Sequence, residues 1–177
     1  MEYNEVDVRD AINKDNIAFA NIYKSIHKDL FKVAFYILGN REQAKDVVSD
    51  TILDAYCQIE KLNDPARFEN WILKILTNKC KRKIREKYEK LSMFHPNVRN
   101  IEEYQLESRE YVFAQEERTD VQIAMMKLKK QDRMIVSLCV VEGYTSKEVA
   151  EILSMNSSTV RSRLNRSLDK MKEYLEV

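Results

Sequence analysis

Apolar residues recur at three- and four-residue intervals along most of this chain, the spacing that lets a helix bury one face. From Asn16 to Leu38 they include Phe19, Ile22, Tyr23, Ile26, Leu30, Val33 and Ile37, with Gly39 where a left-handed C-terminal cap belongs. Asn40 opens a second predicted helix, with Gln43 in the capping-box position and an inner face of Ala44, Val47, Val48, Ile52, Ala55, Tyr56 and Ile59. Asp64-Pro65 sets an N-cap before a proline at the first helical position, and the third predicted helix buries Phe68, Trp71, Ile72, Ile75 and Leu76. Beyond about residue 90 the periodicity weakens, Pro96 and Asn97 break any helix, and glutamates accumulate.

The pattern resumes near Val121 with a helix that ends at Glu142-Gly143. A short helix follows, opened by Thr145 and Glu148 as a capping box, and then a last one capped by Asn156 or Ser157. Its inner face reads as Val160, Leu164, Leu168, Met171 and Leu175. The expectation is an all-α protein of two small helical domains, residues 1–90 and 121–177, joined by a polar, acidic linker over 91–120. The C-terminal domain reads as a helix-turn-helix.

Composition sharpens this picture. The 177 residues contain only 2 Gly and 2 Pro while 33% are charged, which excludes an architecture rich in tight turns and strands. Net charge is +1, so any attraction for nucleic acid must come from charge segregated along the chain. Cys57, Cys80 and Cys139 are scattered through apolar helical patterns, with no spacing that would bind a metal. The first residues are acidic and no apolar run could span a bilayer, which reads as a reduced, cytoplasmic protein. No nucleophile–base pair, glycine-rich phosphate loop or metal cluster stands out, so neither an enzymatic activity nor a cofactor or small-molecule substrate is expected.

The last helix carries chemistry on its outer side. Arg161, Ser162, Asn165 and Arg166 oppose the apolar face, with Arg163 on a flank. An arginine fork can grip the O6 and N7 of a guanine. Ser158 and Thr159 at the helix start suit phosphates. A solvated packing helix would also carry such arginines. The support helix, its capping box, the short turn and the serine-rich start together point to DNA.

A second basic cluster, from Lys74 through Lys79, Lys81, Arg82, Lys83 and Arg85 to Lys87, crowds the end of the third helix. It fits phosphate neutralisation or an ordinary solvated helix end. Phe68 and Trp71 offer a platform for unpaired bases, although Trp71 also fits the core.

Three motifs in order resemble bacterial sigma-70-type factors of the extracytoplasmic-function class. The stretch from Glu42 to Thr51 is similar to the family's core-polymerase-binding motif, and that from Arg67 to Asn78 to its promoter-melting segment. The stretches Glu142–Ala150 and Ser158–Leu164 resemble its −35-reading domain. The resemblance implies that Asp46, Asp50 and Thr51 face the β′ clamp of RNA polymerase, with the β flap a further contact. It implies that Asn78, with Phe68, Lys79, Arg82 and the loop from Leu62 to Phe68, holds a flipped −10 base and its strand. Ser158, Thr159, Arg161, Ser162, Arg163 and Arg166 would bind the −35 element. An anti-sigma factor is implied as a further partner.

Ser49 stands where the family usually has Gln, Arg82 where an acidic residue is common, Ser154 where the turn usually has Gly, and Asn165 where some relatives are aromatic. A linker of about 30 residues could reach ~100 Å, more than the ~60 Å between promoter elements less than two DNA turns apart. Its glutamates suit the basic RNA channel of polymerase, which the resemblance implies as its route. Two other readings stay open: a LuxR-like helix-turn-helix regulator acting as a dimer on duplex DNA, and an adaptor without DNA contact.

Overall fold

A computed structural model describes residues 1–94 and 119–175. The N-terminal body contains α1 (Glu5–Ile12), α2 (Asn16–Leu38), α3 (Arg41–Gln58) and α4 (Phe68–Phe94), with two 3-10 turns between α3 and α4. The C-terminal body contains α5 (Asp120–Met126), α6 (Lys130–Val136) running into a π-helical turn (Ser137–Val141), α7 (Ser146–Leu153) and α8 (Ser157–Leu175). Most of the stretch expected to be an acidic linker lies outside the described residues, but α4 reaches Phe94 and Thr119 caps α5.

The caps anticipated from the sequence form. Gly39 takes φ 68° and its amide donates to the Phe35 carbonyl, ending α2. Asn40 Oδ1 accepts from the Gln43 amide at 2.9 Å, and Asp64 Oδ1 accepts from that of Ala66 at 3.0 Å. Pro65 opens a 3-10 turn (Pro65–Arg67) rather than the α-helix itself. Thr145 and Glu148 complete a capping box, and the two hydrogen bonds from Thr145 hold the Glu148 carboxyl below its usual range. Asn156 starts α8: its side chain accepts from the Ser158 amide and its carbonyl from the Val160 amide.

Four details differ from the pattern. The short α1 was not foreseen; it buries only Val8 and Ala11 and is capped by Asn4. Tyr23 and Tyr56 are exposed rather than internal, and Tyr56 turns its ring edge onto Phe19 while its hydroxyl donates to Asn16. Trp71 and Ile75 are half-buried, and Leu73 is fully buried. On α8, Leu168 and Leu175 are exposed and Ser167 is buried. With 3.6 residues per turn, positions 160, 164, 167 and 171 stay on one line while 168 drifts off it.

Ser154 takes φ 54° and ψ 51°, the left-handed conformation that lets Met155 N donate back to the Ala150 carbonyl at 2.8 Å. That geometry strains a residue with a Cβ. Ser154→Gly is expected to stabilise the chain by about 0.5–1 kcal/mol, the relief of strain exceeding glycine's entropic penalty. A thermal melt that fails to rise would contradict this.

The two bodies share one apolar core, in which Leu30, Ile37, Ile72 and Leu76 join Met134, Leu138, Val149 and Ile152. Met126 lies over Gly39 so closely that a Cβ there would collide with its sulfur. Polar contacts rim the seam. Lys32 Nζ stands 3.5 Å from Glu142 Oε1 and donates to the Val141 carbonyl, Asn70 Nδ2 donates to Glu151 Oε2 at 3.5 Å, and the Tyr144 hydroxyl donates to Glu69. Burial raises the Glu142 carboxyl above its usual value, partly offset by Lys32. Burial also draws the Arg133 guanidinium down to about 10, and its Nε has no hydrogen-bond partner. The Arg133 Nη1 donates to the Met126 sulfur at 3.0 Å.

Candidate nucleic-acid interface

Helix α4 is held by Phe68, Ile72, Leu73, Leu76 and Cys80 on its inner side, all buried. Trp71, Lys74, Asn78, Lys81, Arg82 and Arg85 fall within an arc of about 100° on another side. Lys74, Asn78, Arg82 and Arg85 are exposed there. The Lys81 ammonium is pulled below its usual pKa by burial and by the neighbouring Lys74 charge. This face is therefore crowded with cations that a polyanion would relieve. Before it, Leu62 and Phe68 anchor a loop whose Asn63, Asp64, Ala66 and Arg67 are exposed.

Phe68 does not fit the role of a base platform. Only 1% of it is exposed, with its ring edge-on to Tyr3 at 5.1 Å and Trp71 beside it. Half-buried Trp71 is the aromatic that the Asn78 face presents.

Lys79 and Lys83 turn away from that face toward α3 and meet a row of carboxylates. Asp54 pairs with Lys79 at 2.5 Å, Asp50 with Arg82 at 3.9 Å and Asp46 with Lys83 at 3.5 Å. Asp46 and Asp50 remain largely exposed, as does Ser49 beside them. Thr51, in contrast, is fully buried and its hydroxyl donates to the Val47 carbonyl, so it cannot touch a partner. Leu53, 62% exposed, is the apolar side chain this face offers instead. Asp54 continues the four-residue spacing of Asp46 and Asp50, and with Leu53 it lies beyond the motif, which ends at Thr51.

In the helix-turn-helix, α7 packs behind α8 and leaves one side of α8 open. Ser158, Thr159, Arg161, Ser162, Asn165 and Arg166 are exposed on that side. Ser162 donates to the Thr159 carbonyl and Arg166 Nε to the Ser162 carbonyl, which lays the Arg166 side chain back along the helix. Arg163 sits apart. Its Nε donates to Asp132 at 2.7 Å and its Nη1 to Gln131 at 2.5 Å, tying α8 to the start of α6. Among the described residues no helix is long and apolar enough to cross a membrane.

Comparison with known proteins gives a consistent match. Residues 22–89 fit the family model described as Sigma-70 region 2, and residues 118–171 the one described as Sigma-70, region 4. The ECF RNA polymerase sigma factor SigW of Bacillus subtilis is 25% identical over 174 residues, an alignment covering 91% of this chain and 90% of that protein. The ECF RNA polymerase sigma factor SigE of Mycolicibacterium smegmatis is 27% identical over 161 residues, which cover 84% of this chain but only 58% of that longer protein. Among solved structures, CnrH in complex with the cytosolic domain of CnrY shares the fold with a TM-score of 0.71 at 21% identity, covering 97% of this chain and 96% of that one. The sigma factor RpoE in complex with the anti-sigma factor NepR from Bartonella quintana gives 0.69 at 19% identity, covering 90% of this chain and 97% of that one.

Proposed function

The chain belongs to the sigma-70 family, in its extracytoplasmic-function class, and we infer from this premise how its three exposed faces divide the work of starting transcription. As an alternative sigma factor it binds core RNA polymerase and directs it to promoters. The observation that carries the division of labour is that an acidic face, a cationic face bearing Asn78 and an outward donor face stand on separate helices, α3, α4 and α8. A LuxR-like regulator would have no use for a sigma region 2 over residues 22–89.

Asp46 and Asp50, with Leu53, are the contact to the β′ clamp, since they are exposed where Thr51 is not. The Asn78 face of α4 and the exposed loop before it hold the separated −10 strand. Asn78 pairs with a flipped base and Lys74, Arg82 and Arg85 neutralise phosphates. The outward side of α8 reads the −35 element through Arg161, Ser162 and Arg166, while Ser158 and Thr159 contact phosphate. Arg163 positions α8 on α6 rather than reading bases. None of this requires covalent chemistry by the chain: binding energy shifts the closed-to-open promoter equilibrium. The C-terminal body also engages the β flap, and an anti-sigma factor is a further partner.

The seam bears on how these faces cooperate. The Asn70–Glu151 contact, eight residues of α4 at ~1.5 Å each, ordinary α7–α8 packing at ~10 Å, and about 20 Å more for the run of α8 to Arg166 and the side chains put Asn78 within roughly 45 Å of the −35 reader. Promoter elements separated by ~60 Å are out of joint reach of that arrangement. The two bodies must therefore separate on the promoter.

Run-off transcription with purified core polymerase and a pool of promoters tests the reading; no specific initiation and no co-purification with core would refute it. Asn78→Ala is expected to reduce open-complex formation about tenfold while leaving duplex −35 binding nearly unchanged, consistent with the loss of one base contact of ~1–3 kcal/mol. Equal losses in both assays would remove Asn78 from the −10 role.

A further inference from the structure

Helix α8 turns Val160, Leu164, Ser167 and Met171 inward, and the line opposite them runs through Ser158, Ser162, Asn165 and Asp169, all exposed. The polar side chains around Asn165 are engaged with the helix itself. Ser162 Oγ donates to the Thr159 carbonyl at 3.1 Å, Arg166 Nε to that of Ser162 at 3.2 Å and Ser167 Oγ to that of Arg163 at 2.7 Å. Asn165 is different: among the described residues its carboxamide has no hydrogen-bond partner. Asparagine is a poor helix former, because its side chain competes for backbone groups. Here it neither bonds the backbone nor packs, so α8 gains nothing from it. Side chains on a helix lean toward its N-terminus, and in that direction Asn165 meets only the small serines at 158 and 162. A short side chain at 165 can therefore reach the surface that α8 docks on.

We propose that Asn165 is a specificity residue of the −35 reader and that the base it takes is adenine. The inference rests on the assignment of the outward side of α8 as the −35 face. A carboxamide sets an acceptor oxygen beside a donor nitrogen. In the major groove only adenine matches both, with N6–H as donor and N7 as acceptor. Asn165 Oδ1 then accepts from N6 while Nδ2 donates to N7. Guanine presents two acceptors, O6 and N7, which suit an arginine fork, and thymine O4 or cytosine N4–H satisfies only half of the amide. Asp169 ends the line: its carboxylate is repelled by the phosphate backbone, which confines base reading along this line to the turns before it.

The test uses the full chain bound to core polymerase and a promoter recovered from the pool, with each base placed in turn at each −35 position. The wild type should prefer adenine at one position on one strand, and Asn165→Ala should reduce that preference roughly 5- to 150-fold. Discrimination at the other positions should persist, which shows that α8 is folded and docked. Asn165→Asp keeps the shape but offers acceptors only, so preference at that position should move from adenine to cytosine, whose N4 donates. Replacing the adenine by 7-deazaadenine, which lacks the N7 acceptor, should weaken the wild type ~3- to 10-fold and leave Asn165→Ala unchanged. If Asn165→Ala leaves every position ranked as before, or flattens one where adenine is not preferred, the proposal is overturned. Flattening by Arg161→Ala in the same panel would still keep α8 as the −35 reader. A wild-type holoenzyme indifferent to every −35 position overturns both.

Discussion

A chain cross-linked shut across the seam will bind core polymerase yet fail to initiate. Lys32 and Glu142 meet at 3.5 Å from opposite bodies, so cysteines at these two positions can be bridged by a bismaleimide whose spacer contains a disulfide that reductant cleaves. Cys57, exposed, and Cys139, half-buried, must first be replaced, whereas Cys80 can stay because burial raises its thiol to about 12 and keeps it unreactive. The acidic face of α3 stays exposed in the closed chain, so association with core is retained. What is lost is simultaneous grip on both promoter elements. A second contact made through a tether can contribute a factor of 10²–10⁴, so run-off transcript should fall about 100-fold or more and recover when the bridge is cleaved. Equal transcript before and after cleavage would show that the promoter does not require the seam to open.

The seam is also where sequence patterns stop being informative. The periodic positions of α2, α3, α4 and α8, the caps at Asn40, Asp64 and Thr145, and the turn at Ser154 are all local, set by residues within four or five positions of one another. Most could be read directly; Tyr23, Tyr56, Leu168 and Leu175 are exposed where the period puts them inside. Glu69 with Tyr144, Lys32 with Glu142 and Arg163 with Asp132 are separated by 75, 110 and 31 residues, and nothing in the spacing of either partner announces the other. For Arg163 the resemblance implies −35 binding, and its pair with Asp132, which no local spacing announces, supports the proposed positioning role instead.

Thr51 and Phe68 differ from that case. Thr51 lies four residues from both Val47 and Ala55 on the buried stripe of α3, and Phe68 starts the inner stripe continued by Ile72. Their burial was legible in the period, but motif resemblance, which assigns roles to positions without asking which way each side chain faces, overrode it.

The contrast between Arg163 and its neighbours supplies the second large effect. Arg161 and Arg166 lie on the open side of α8, and a bidentate arginine–guanine contact discriminates by ~1–3 kcal/mol, roughly 5- to 150-fold. Arg161→Ala and Arg166→Ala should each flatten the preference among −35 variants by a factor in that range. The double variant should lose the product of the two factors, provided that the arginines read different base pairs. Arg163→Ala should act otherwise. It leaves the Asp132 carboxylate, 15% exposed, without its guanidinium, which costs about 1–3 kcal/mol of stability and loosens α8 on α6. Its affinity should fall evenly across a panel of −35 sequences, with rank order unchanged and a lower melting temperature. If Arg163→Ala instead re-ranks the panel while Arg161→Ala and Arg166→Ala shift it evenly, the reading face of α8 lies on the Arg163 flank and the Asp132 pair must break on DNA.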